Sequence, residues 1–104
     1  MSHKVLIVDD HFVVREGLKL ILETNDSFSV VGEAENGEEA LRFIEEKQPD
    51  IILMDLNMPV MSGLEAIKEL NERQISIPVI ILTTYNEDDL MIKGIELGAK
   101  GYLL

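Results

Sequence analysis

The sequence predicts an α/β fold: a doubly wound, five-stranded parallel sheet with helices on both faces. Three observations carry that prediction. Short apolar runs alternate with segments of helical periodicity at the spacing of βα units. The runs Val5-Leu6-Ile7-Val8 and Val79-Ile80-Ile81-Leu82 are apolar without alternation, as in strands covered on both faces. Two such runs end in acid, at Asp9-Asp10 and at Asp55, on the edge where ligands bind in sheets of this kind.

The elements follow in order. The first strand spans 5–8, and a helix over 12–24 carries Val14, Leu18, Ile21 and Leu22 on one side. Asn25-Asp26 and Gly32 frame a β-branched second strand over 28–31. Asn36-Gly37 is a turn signal, and the helix over 38–47 places Ala40, Leu41 and Ile44 together. Pro49 stops it before a strand over 50–54. After a loop over 59–63, Leu64, Ile67 and Leu70 mark a helix to about Glu72. Pro78 opens the strand over 79–82. Asn86 caps a short helix with Leu90, Met91 and Ile95 on its inner side, ending at Gly98, and a fifth strand runs over 101–104. Right-handed crossovers put helices on both faces. No helix follows the fifth strand, so one face is expected to lack part of its cover.

Composition narrows the function. The 104 residues make one domain, 1–104, with 9 Lys and Arg against 20 Asp and Glu, a formal charge of -11. Such a surface repels nucleic acid, whose non-specific binding needs cations against phosphate. Without Cys there is no disulfide, thiolate chemistry or thiol metal site. The start lacks a secretory signal and no apolar run approaches a membrane span, so a cytoplasmic protein with no membrane partner is expected.

Asp9, Asp10, Asp55 and the pair Thr83-Thr84 all stand at strand ends on one edge. Crowded carboxylates repel, and an uncompensated one has its pKa raised. Mg²⁺ resolves the conflict, because one or two carboxylates plus retained waters complete its octahedron. Zinc suits the site poorly with only His3 and His11 available, and no EF-hand loop is present for calcium. With a cation beside it, Asp55 can act as a nucleophile and form an acyl phosphate. Thr83 or Thr84 and backbone N–H groups after Asp55 can serve the phosphoryl oxygens. His11, next to the acids, reads as a local polar or capping residue, and Arg15 lies one helical turn beyond it.

On the stretches Val5-Leu6-Ile7-Val8-Asp9-Asp10, 50–63, 79–84 and Gly98-Ala99-Lys100-Gly101-Tyr102, the chain resembles the receiver domain of bacterial two-component response regulators. The resemblance implies a flavodoxin-like fold with strand order 2-1-3-4-5. It implies that Asp55 is the phosphoacceptor, that Asp10 binds Mg²⁺ directly, that Asp9 reaches it through water, and that Asn57 offers its backbone carbonyl. Thr83 takes the place of the switch hydroxyl and Tyr102 that of the aromatic switch. A sensor histidine kinase as donor and homodimerisation on phosphorylation are implied as well.

The stretch 10–18 with Val31-Gly32-Glu33-Ala34 resembles the subgroup with a LuxR-like helix-turn-helix output domain. That implies a transcription regulator whose DNA contacts lie in an output domain absent from these residues. The implied chemistry is self-phosphorylation and self-dephosphorylation, not enzyme turnover. The family also places a Lys at what would be residue 105, so the domain is expected to be incomplete at its C-terminus, without its final helix. Two rivals stand beside this reading. One is a receiver-like interaction module independent of phosphorylation. The other is a small Mg²⁺-dependent phosphatase, which would need a second acid where Asn57 stands.

Overall fold

A computed structural model describes residues 2–82 and the backbone of residues 101–103. The chain runs β1 (His3–Val8), α1 (Phe12–Glu23), β2 (Phe28–Ala34), α2 (Gly37–Glu46), β3 (Ile51–Asp55), α3 (Gly63–Glu72), β4 (Val79–Leu82) and β5 (Gly101–Leu103). One five-stranded sheet has the order β2-β1-β3-β4-β5, and all four pairings are parallel. The doubly wound fold expected from the sequence is thus observed. The helix expected before Gly98 lies outside the described residues.

Unbroken apolar strands are explained by cover on both faces. Leu6, Val8, Ile52, Met54 and Ile81 point to one side, where Ala40 and Ile44 of α2 and Ala66, Ile67 and Leu70 of α3 meet them. Val5, Ile7 and Leu53 point to the other, against Leu18 and Leu22 of α1. Leu56 and Met58, beyond β3, are also buried in the first cluster, so the loop after Asp55 is anchored in the core.

Two helices begin on side-chain caps. Asn36 caps α2 by accepting the Glu39 N–H at 2.9 Å. Ser62 and Glu65 form a reciprocal capping box on α3, each side chain accepting the other residue's N–H at 3.2 Å.

The stripe expected on α1 is corrected. Leu18 and Leu22 pack inward, whereas Val14 and Ile21 are 37% and 67% exposed. The buried residue of α1 is Arg15. α1 packs over Val5, Ile7 and Leu53 through a narrow stripe, and a guanidinium shares it. β2 also extends past its expected end at Val31, to Ala34. Val5 pairs with Val30 and Leu6 with Gly32, leaving Val31 as an unpaired bulge residue. Among the described residues, no helix is long and apolar enough to cross a membrane.

Candidate metal and phosphoacceptor site

Strand register builds the site. Val8 pairs with Met54, so the next residue of each strand, Asp9 and Asp55, emerges level at the same sheet edge. Asp9 is 2% exposed, and its N–H donates to the Ala34 carbonyl at 3.0 Å. Its Oδ1 accepts the His11 N–H at 2.8 Å and lies 2.9 Å from the His11 Nδ1. Asp55, 4% exposed, accepts the Asn57 N–H on Oδ1 at 3.3 Å. Asp10 Oδ1 lies 3.1 Å from His11 Nδ1, yet it is sealed from solvent and has no hydrogen-bond partner. One ligand atom from each of Asp9, Asp10, His11 and Asp55 lies within 4.8 Å of the others.

The electrostatics follow from that crowding. The Asp55 pKa is pushed up to about 6, first by burial, with the charges of Asp9 and Asp10 adding to it. The Asn57 N–H and His11 oppose the rise. His11 itself is raised, chiefly by its hydrogen bond to Asp9 and then by the charge of Asp10. Hard oxygen donors, a buried oxygen without a partner and an acid destabilised in its charged form together fit a hard divalent cation. The cluster is consistent with Mg²⁺. Asp9, Asp10 and Asp55 would hold it.

Comparison with known proteins agrees with this geometry. The model of the response regulator receiver domain matches residues 5–104. The chain belongs to the response regulator receiver domain family. This receiver domain is 71% identical over 102 residues to the transcriptional regulatory protein YdfI of Bacillus subtilis, covering 98% of the chain and 47% of that protein. It is 39% identical over 100 residues to the nitrate/nitrite response regulator NarL of Escherichia coli K12, covering 96% of the chain and 46% of NarL. Among solved structures, the receiver domain of the putative response regulator NarL from Mycobacterium tuberculosis superposes with a TM-score of 0.92 at 32% identity. That match covers 99% of this chain and 83% of the other. The receiver domain spans about half the length of the full-length relatives it matches.

The remaining candidate residues are placed unevenly. Asn57 is exposed and joined to Asp55 through its N–H. Tyr102 lies in β5, paired with Ile81. Thr83 and Thr84 lie outside the described residues. His11 precedes α1 at the N-cap position but makes no side-chain cap; its ring turns to the two acids instead. Arg15 had no role assigned from the sequence, and apolar spacing carries no signal for the ion pair that it makes with Glu33.

Proposed function

We propose that this domain is a phosphorylation-controlled signalling switch in which Asp55 accepts a phosphoryl group from a sensor histidine kinase. The observation that carries this reading is the convergence of Asp9, Asp10 and Asp55 at one sheet edge, with Asp55 buried and destabilised as an anion. An oxygen of Asp55 forms the new bond to phosphorus as the P–N bond of phosphohistidine breaks, and the imidazole departs with that electron pair. With a pKa of about 6, Asp55 is mainly the nucleophilic carboxylate at neutral pH. Bound Mg²⁺ would supply the positive charge that offsets repulsion between the carboxylates and the phosphoryl oxygens. Asp9, Asp10 and Asp55, with the backbone carbonyl of Asn57, would hold that ion. Asp9 also orients the loop, since its side chain accepts the His11 N–H.

Thr83 and Tyr102 are the readers of the acyl phosphate: the hydroxyl moves toward the new group and the ring follows. The output is homodimerisation and control of transcription. Residues 1–104 act as the receiver, and DNA is contacted by an output domain elsewhere in the full-length protein. The -11 charge supports that division, since this surface repels phosphate backbones. The names of YdfI and NarL, both regulators, support it as well. Incubating the protein with acetyl phosphate and Mg²⁺ and measuring intact mass tests the proposal. One phosphoryl adduct on wild type and none on Asp55→Asn is expected; an undiminished adduct on Asp55→Asn overturns it.

A further inference from the structure

We infer that Arg15 is a positioning residue for the metal site, fixing the peptide between Asp9 and Asp10 and thereby setting divalent-cation affinity from outside the ligand set. The inference rests on the metal-site reading above. Arg15 is 8% exposed, and a buried guanidinium is costly unless its donors are matched. Its fork is matched in a particular way. Nη1 donates to the backbone carbonyl of Asp9 at 2.7 Å, and Nε donates to Glu33 Oε1 at 3.2 Å. Nη2 lies 3.8 Å from Glu35 Oε1.

Asp9 is consequently pinned at both ends to β2. Its N–H is bound to the Ala34 carbonyl, and its C=O is tied through Arg15 to Glu33. The Asp9–Asp10 peptide plane cannot rotate without breaking a buried, charge-assisted hydrogen bond. That plane sets the direction from which the Asp10 side chain leaves the backbone, and Asp10 Oδ1 is the oxygen without a partner. An Arg serving only to join α1 to β2 could bond Glu33 alone. Here its shortest bond goes to the residue that carries a carboxylate of the site. Lys cannot make both bonds in this planar geometry.

The test is a Mg²⁺ titration of the full-length protein followed by amide NMR shifts, with acetyl phosphate labelling rates measured across Mg²⁺ concentrations. For Arg15→Met the Mg²⁺ Kd should rise about tenfold, the usual effect of losing a residue that orients a metal ligand. The labelling rate extrapolated to saturating Mg²⁺ should stay within about twofold, because the ligands and the nucleophile are intact. Arg15→Lys should recover only part of the affinity. Glu33→Gln keeps the Asp9 bond but loosens the guanidinium, so a several-fold rise in Kd is expected. It also decides the matter if Arg15→Met does not fold. Folded variants that lose thermal stability yet bind Mg²⁺ within about twofold of wild type would show a purely structural Arg15 and overturn the inference. A wild type that binds no Mg²⁺ overturns the metal-site reading and this inference with it; wild-type binding with unchanged variants overturns the inference alone.

Discussion

Asp55 ends β3 almost fully buried, and burial outranks the neighbouring charges in raising its pKa to about 6. The sequence pointed to mutual repulsion among the acids as the cause; an apolar run before Asp55 and the buried Leu56 and Met58 after it make desolvation the larger one. Since the folded state holds this proton more tightly than the unfolded chain, stability falls as pH rises from about 3.8 to about 6. The full difference corresponds to at most about 3 kcal/mol. Urea unfolding in metal-free buffer should show that decline in wild type and a shallower one in Asp55→Asn. At pH 7.5 without metal, Asp55→Asn should be the more stable protein. Adding Mg²⁺ should reverse the order, because a ligand at 100 times its Kd stabilises the native state by about 2.7 kcal/mol. An Asp55→Asn variant less stable than wild type in metal-free buffer at pH 7.5 would contradict the desolvation account.

Elements place these side chains through close backbone contacts. A Cβ on Gly63 would stand 2.2 Å from the Asp55 carbonyl oxygen and 2.8 Å from Leu56 Cα, so the first turn of α3 rests directly on the backbone of Asp55. Gly63→Ala should cost about 3 kcal/mol in chemical denaturation and slow acetyl phosphate labelling, because backbone must yield. For Gly32→Ala the three nearest atoms all belong to the ring of Phe43, and the cost should be less, about 1 kcal/mol, since a partly buried side chain can turn aside. Ser62→Ala removes half of the capping box and should cost about 1 kcal/mol. Much at this scale was legible: the Pro49 stop, the Asn36-Gly37 signal that became the α2 cap, and the acids at strand ends. The inner face of α1 was not. Apolar spacing locates a stripe but does not reveal that Arg15, flanked by Val14 and Leu18, turns inward to meet an anion on another strand.

Across the whole molecule, a charge of -11 makes compaction work against self-repulsion. Raising NaCl from about 10 to 200 mM shortens the screening length to below about 10 Å and should raise the melting temperature. The same change should weaken Mg²⁺ binding in titrations. Parallel pairing was readable from alternation of elements, because covered strands lose their polar face, whereas strand order followed from the family resemblance. Register was not readable, and it carries a consequence in the arithmetic of odd and even positions. Phe28 and Val30 turn to the α1 side; after Val31 the parity flips, so Gly32 and Ala34 turn to the α2 side and Glu33 to Arg15. With plain alternation carried through Val31, Gly32 would face α1, and Glu33 would be driven toward Phe43 and the larger apolar cluster. Removing Val31 alone would leave Val30 and Gly32 opposite the consecutive residues Val5 and Leu6 and keep every assignment, whereas forcing all seven residues into one unbroken register would exchange the anion for a hydrogen atom beneath the guanidinium. Val31 is therefore a position inside this strand that can be lost without turning any other side chain to the wrong face.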